Sequence, residues 1–314
     1  MVPLKPFFRK SLGMHPNDPI IIKNRHTGKT EVEQVYGENW LKRIYGNPLG
    51  AIALHTLVKR AFFSQLYGFA MDCPSSRQRI EPFVQKYGLN VAEFANPDLN
   101  SYATFNEFFY RKLKSGARPI DQRSDIAVLP ADGRHLGFQD VATTNGIFAK
   151  GQKFDIPTLV GDRELGERYA QGSIVCSRLC PVDYHRFHFP VAGIPQSAVP
   201  LSGSLYSVNP FALRRNINYL WKNKRQRVSI ETQTFGLVTM VSIGATNVGS
   251  IIETYQSGKP VAKGDEKGYF RFGGSFIATL FEPGRIKIAE DLLAAGETNQ
   301  ELYALMGSPL GQST

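Results

Sequence analysis

Cysteine is scarce in this 314-residue chain, with three in all. Cys73 stands alone, and Cys176 and Cys180 have no second pair to complete a zinc site, so a disulfide scaffold is excluded. The three read as small buried thiols of a reducing compartment. Long apolar runs are also missing. The most apolar stretch, 49–71, is broken by His55, Lys59 and Arg60, well short of the roughly 18 uninterrupted apolar residues of a spanning helix. No apolar segment follows the charged start MVPLKPFFRK, so no signal peptide is expected. Acidic residues are the minority charge, 27 against 37 basic, for a net +10. That balance favours an anionic partner without choosing among nucleic acid, a membrane surface and an acidic ligand. Zinc-finger spacing, a basic zipper and ribonucleoprotein aromatics are all absent, so no nucleic-acid partner is expected.

The charge that is present is uneven. Residues 1–60 hold ten Lys or Arg against four acids, +6 of the +10. Residues 35–115 read as helical. Leu54, Leu57, Val58, Ala61, Phe62, Leu66 and Phe69 form a helical stripe. Phe63 sits among Lys59, Arg60 and Ser64 on the other face, which suits an interfacial helix or an ordinary surface helix. Thr104-Phe-Asn-Glu107 is a capping box that predicts a helix over 105–114, ended at Gly116. Asn90 predicts the cap of a shorter helix through Phe94. Gly116-Ala-Arg-Pro119 reads as a linker. After residue 120, short β-branched and aromatic runs separated by Gly, Pro, Asn and Ser predict a mainly β domain. A last helix is expected from Asp291 to about Met306. The fold class is α+β, with a basic, largely helical region over 1–119 and a mainly β domain over 120–314.

Three segments could carry chemistry. Pro130-Ala-Asp132-Gly133 is ordinary turn chemistry by itself, and becomes a candidate only if Asp132 has a histidine to orient. In Pro181-Val-Asp-Tyr-His-Arg-Phe-His-Phe-Pro190, strand alternation puts Tyr184, Arg186 and His188 on one face. His185 falls on the other face with Phe187 and Phe189 and reads as a structural histidine. The two histidines face apart and no carboxylate–His cluster adjoins them, so no metal is expected. His188 is the general acid–base candidate, and Arg186 is an anion contact or a plain strand arginine. In Gly268 to Gly284, a strand enters Gly273-Gly274-Ser275 and a second leaves. This is a flexible hairpin loop or a site of backbone self-cleavage, in which Ser275 Oγ reaches the Gly274 carbonyl. Asp132, His188 and Ser275 together are the parts of an Asp–His–Ser arrangement, which geometry rather than order defines. No Gly-x-Ser-x-Gly elbow surrounds Ser275, against an α/β-hydrolase.

With these blocks in hand, the chain resembles the phosphatidylserine decarboxylase proenzymes. The likeness rests on Pro-Ala-Asp132-Gly, Asp-Tyr-His-Arg-Phe-His188-Phe-Pro, Ile-Gly-Ala-Thr-Asn-Val-Gly-Ser250-Ile, Lys-Gly-Asp-Glu-Lys-Gly-Tyr-Phe270 and Phe-Gly-Gly-Ser275. Arg-His-Thr-Gly-Lys29, the Thr104 to Lys114 block and Ala-Arg-Pro-Ile-Asp121 extend it over nearly the whole chain.

The resemblance implies a self-processing decarboxylase that converts phosphatidylserine to phosphatidylethanolamine and CO2 in phospholipid biosynthesis. Cleavage would fall between Gly274 and Ser275, giving a beta chain 1–274 and an alpha chain 275–314 that stay associated. Ser275 would become a covalent pyruvoyl cofactor that forms a Schiff base with the substrate amine and accepts the electrons of decarboxylation. Asp132 and His188 match the other two catalytic positions, orienting and deprotonating Ser275, and His188 is also the candidate proton donor to the substrate carbon. Phe276 departs from the threonine that usually follows the serine, which puts the rate of processing in question. The expected partner is phosphatidylserine in anionic membranes, where each Lys or Arg near the surface contributes on the order of 1 kcal/mol. The expected location is peripheral, on the cytoplasmic face of a bacterial inner membrane, with the helical region 1–119 as the membrane-associating part. A homo-oligomer is left open. The alternative is a basic peripheral membrane-binding protein of the same fold that no longer processes. A serine hydrolase using the same three residues comes after it.

Overall fold

Runs rich in Val, Ile, Phe and Thr dominate the chain after residue 120, and in a computed structural model they fold into sheets. The structure describes residues 19–33, 68–144, 146–245 and 250–314. In chain order the strands are β1 (Ile21–Asn24), β2 (Thr30–Val32), β3 (Ile126–Val128), β4 (Gly133–Phe138), β5 (Gly146–Ile147), β6 (Ala149–Lys150), β7 (Ser173–Leu179), β8 (Arg186–His188) and β9 (Ile194–Pro195). They continue with β10 (Val199–Leu201), β11 (Arg225–Glu231), β12 (Leu237–Gly244), β13 (Ile251–Glu253), β14 (Glu266–Phe270), β15 (Ser275–Phe281), β16 (Ile286–Ile288), β17 (Leu302–Ala304) and β18 (Pro309–Ser313). The helices that matter below are α1 (Ile80–Tyr87), α2 (Phe105–Phe109) and α3 (Glu290–Thr298). The fold is mixed α+β, with more sheet than helix.

The main sheet runs β10-β11-β12-β15-β7-β4-β17-β1-β2, with β9 also paired to β11. Beside its central strand β7 lies β15, whose Ser-Phe-Ile-Ala-Thr-Leu-Phe run is buried at every residue. A strand with neighbours on both sides and packing on both faces has no reason to alternate with polar residues. The register sets Ser275 opposite Gly244 of β12 on one side and Leu179 of β7 on the other. A smaller sheet, β13-β14-β8, carries the histidine segment. Gly133, next to Asp132, opens β4, and a Cβ there would lie 2.5 Å from the Arg178 carbonyl oxygen. Only glycine lets β4 approach β7 that closely.

Outside the main core lies a second apolar cluster. Met71, Ile80, Phe83, Val84, Phe94, Tyr102, Phe105, Phe108 and Phe109 pack together, and Phe272 joins them from the far side of the chain. The helical region is thereby joined to the segment just before Ser275.

Several expectations change here. The capped helix over 105–114 is only five residues long and ends at Tyr110. Asn90 does cap a short turn, a 3-10 helix over Val91–Glu93. The segment at Gly273-Gly274 is not a hairpin, because β14 and β15 lie in different sheets. The C-terminal helix stops at Thr298, where Asn299 takes a left-handed conformation, and the chain returns as β17 and β18. From the N-terminal part of the chain, β1 pairs with β17 in the main sheet. The stripe from Leu54 to Leu66 lies outside the described residues, and a helical region before 1–119's described part is not established by them. Phe69, its last member, is 71% exposed. No helix among the described residues is long and apolar enough to cross a membrane.

Candidate active site

Ser275 begins β15 and is fully buried. Its Oγ lies 3.3 Å from Nδ1 of His185. The other ring nitrogen, Nε2, lies 2.8 Å from the Cys180 carbonyl oxygen. A carbonyl can only accept, so Nε2 carries the proton and Nδ1 is left as an acceptor. The Ser275 hydroxyl therefore donates to His185. Burial pushes the His185 pKa down to about 3, so the ring is neutral. Phe109 of α2 stacks on it, ring centroids 3.9 Å apart.

The Cys180 carbonyl is itself fixed. It also accepts from the Asp183 backbone N–H at 2.9 Å, and the Asp183 carboxylate accepts from the Cys180 N–H at 2.6 Å. Arg134 donates to the same carboxylate. Behind this turn, Arg178 bridges Glu33 and Glu301, and the Cys180 thiol donates to Glu33. Burial alone would raise the Glu33 pKa, but Arg178 and Arg134 outweigh it and hold the carboxyl at about 2. Glu33, Arg178 and Glu301 come from three distant parts of the sequence, so the turn behind the histidine is tied to both ends of the chain.

His188 makes its ring contacts elsewhere. Nδ1 lies 2.9 Å from the Gly264 carbonyl oxygen and so carries its proton, and Nε2 accepts from the Tyr184 hydroxyl at 3.2 Å. Burial lowers its pKa, while the Gly264 carbonyl, Glu266 and Asp132 pull the other way. Its backbone N–H donates to the Pro130 carbonyl, which ties the histidine strand to the Asp132 segment. Asp132 accepts from Arg118 Nε and Nη2, the latter at 2.7 Å, and from the Met306 N–H at 2.9 Å. Arg186 is committed to Glu266 at 2.7 Å.

The structure thus brings Ser275 against His185, and sets Asp132 and His188 in adjoining segments without a hydrogen bond between them. Strand alternation puts His185 among phenylalanines and marks it as structural; its contact with Ser275 depends on the turn at Cys180, which spacing does not show. Cysteines 176 and 180 are buried thiols and Cys73 is half-buried.

Gly274 has room around it, since a Cβ there would meet only Val208 at 3.7 Å. Gly273 is the constrained one, with φ +138°, a region that side chains disfavour. Residue 275 faces Gly244, which adds no side chain beside it. A covalent pyruvoyl made from Ser275 fits this position, because the group is smaller than the residue it replaces and His185 already contacts its site.

The sequence model described as phosphatidylserine decarboxylase matches residues 105–312. The chain is 42% identical to the phosphatidylserine decarboxylase proenzyme of Fusobacterium nucleatum over 287 residues, 91% of this chain and 95% of that one. It is 42% identical to the proenzyme of Chlamydia trachomatis over 289 residues, 92% of this chain and 96% of that one. Against that of Desulfitobacterium hafniense the figure is 40% over 288 residues, again 92% and 96%. The chain belongs to the phosphatidylserine decarboxylase family.

Proposed function

We propose that this protein is a self-processing decarboxylase that converts phosphatidylserine to phosphatidylethanolamine and CO2. The observation that carries the reading is the Ser275 hydroxyl donating to a neutral, buried His185 at a Gly-Ser junction. In the first step Ser275 Oγ attacks the Gly274 carbonyl carbon, the Gly274–Ser275 C–N bond breaks and the freed amine takes up a proton. The ester then loses the Ser275 Cα proton and its Cβ–O bond. This leaves a carboxylate at Gly274 and a dehydroalanine, whose hydrolysis releases ammonia and leaves a pyruvoyl group. The pyruvoyl supplies an electron sink for decarboxylation.

Asp132, His188 and Ser275 are the proposed catalytic residues, with His185 added by its contact. His185 orients the hydroxyl. A ring whose pKa is near 3 is a weak base, so proton uptake falls to His188, supported by Asp132. The Gly264 carbonyl holds the proton on His188 Nδ1 and leaves Nε2 as the acceptor, the nitrogen that already accepts from the Tyr184 hydroxyl. His188 is also the proposed proton donor to the substrate carbon.

The proposed setting is an anionic membrane surface, approached from the cytoplasmic face of a bacterial inner membrane, with residues 1–119 as the docking region. The exposed Phe69 and the excess of Lys and Arg in the first 60 residues support it. The test of the enzyme reading is an intact mass spectrum of purified protein. We expect a residue 275–314 fragment with a pyruvoyl N-terminus, and Ser275→Ala protein that stays whole. An intact 35.0 kDa chain in the unmutated protein would favour the processing-deficient membrane binder instead.

A further inference from the structure

Where the helical cluster meets the active site lies one short helix, α2, and it touches residues on both sides of the cleavage step. On one side Phe109 stacks on His185, whose Nδ1 holds the Ser275 hydroxyl. On the other side Phe105 and Phe109 pack edge-on against Phe272, with centroids 5.3 Å and 4.9 Å away. Between them Asn106, buried, accepts the Phe272 backbone N–H through Oδ1 at 2.9 Å. Its Nδ2 donates to Asp72 at 2.8 Å, and Asp72 also accepts from Arg271. The Asp72 contact fixes which way the Asn106 amide points, because only the nitrogen can donate to a carboxylate.

The segment before the scissile bond is therefore pinned at Phe272, and the segment after it is pinned at Ser275 by β12 and β7. Only Gly273 and Gly274 span the interval. The direction from which Ser275 Oγ meets the Gly274 carbonyl depends on where Phe272 is held, and misplacement by about 1 Å can cost about 100-fold in rate. We infer that Asn106, oriented by Asp72, is a positioning residue for self-cleavage and not for decarboxylation. Once the Gly274–Ser275 bond is broken, Phe272 lies on a free C-terminal arm with no covalent link to residue 275. The Asn106 contact then has nothing left to align. This inference rests on the cleavage reading above.

The test measures two rates on the full-length protein. The time course of cleavage is followed in newly synthesised chains by release of residues 275–314. Turnover of phosphatidylserine in detergent micelles is then measured per pyruvoyl-bearing chain, after cleavage has run to completion. Asn106→Ala should cleave at least about 10-fold more slowly, while its matured form keeps kcat within about twofold of the unmutated enzyme. Asn106→Asp should also be slow, because two carboxylates would then face each other. The double variant Asn106→Asp with Asp72→Asn restores a donor at 72 and an acceptor at 106, and should recover most of the cleavage rate. A purely structural lesion would lower kcat of the matured form along with the cleavage rate.

Asn106→Ala cleaving at the unmutated rate would overturn the inference. So would equal loss of cleavage and kcat, or a double variant no faster than Asn106→Asp alone. If the unmutated protein shows no break at Gly274–Ser275, the cleavage reading itself fails and Asn106 fails with it, which is a separate result from an unaffected Asn106→Ala.

Discussion

Burial decides what each of the two histidines can do for Ser275. Burial holds the His185 pKa down near 3 and its ring neutral, so it can orient the hydroxyl but not store its proton. His188 is lowered from its ordinary value by burial, with Asp132 and Glu266 opposing. If His188 takes the proton, cleavage slows as pH falls through its depressed pKa, below the ordinary histidine value of about 6.5. Both His185→Ala and His188→Ala should slow cleavage. The shape of the pH profile separates them: His185→Ala keeps the acid limb and His188→Ala loses it. Cleavage half-times from pH 5 to 8, read on denaturing gels, check this. An acid limb that disappears with His185 would reverse the two roles. Strand alternation separates the two histidines by face, but a face says nothing of what lies beyond it. Phe109 and Cys180 reach His185 from parts of the chain that spacing cannot connect.

At the scale of elements, α2 is shorter than its own sequence suggests. Five residues cannot sustain a helix unaided, since the first turn costs more than it returns. Thr104 Oγ1 accepts the Glu107 N–H at 3.1 Å, and Glu107 reaches back to the Ala103 N–H at 2.7 Å. Both cap residues were legible from the Thr-x-x-Glu spacing. The end of the helix was not, because it is decided by distant partners. Beyond Tyr110 the backbone leaves the helix to pair with 93–95, through Ala95 N–H to Lys112 O and Lys114 N–H to Glu93 O. Arg111 meanwhile lies over the rings of Phe94 and Phe108. The same holds for the tail, where pairing with β4 draws residues 302–304 into a strand that helical spacing had claimed. Thr104→Ala should lower stability by about 1 kcal/mol, the usual worth of such a cap. Thermal melting of the uncleaved Ser275→Ala protein measures that. Cleavage should slow as well if α2 aligns the scissile segment. A Thr104→Ala protein that melts lower yet cleaves normally would confine the cap to stability.

For the whole molecule, the sequence revealed a mainly β domain and the surplus of positive charge, but not how firmly residues 275–314 are built into it. Strand β15 fills the middle of the main sheet, Glu301 shares Arg178 with Glu33, and Met306 is held by Asp132. His135 adds a further tie, with Nδ1 2.9 Å from Ser177 Oγ and Nε2 3.3 Å from the Ala304 carbonyl. Burial lowers its pKa to about 3, as for His185. These values set the direction of acid sensitivity. Between pH 7 and 5 the unfolded chain protonates both histidines and the folded chain protonates neither. The unfolded state therefore binds more protons, and stability falls as pH falls. Two such groups amount to on the order of 3 kcal/mol across that interval. Glu33, held at about 2, keeps its contribution until pH falls into the ordinary carboxylate range and loses it from there down to its own pKa, so it adds little to the loss in this window. The Ser275→Ala protein should therefore melt several degrees lower at pH 5 than at pH 7, and His135→Gln should remove part of that difference. Equal melting temperatures at the two pH values would mean that the buried histidines are as easily protonated in the folded protein as in water, and the neutral His185 assigned to Ser275 would lose its physical basis.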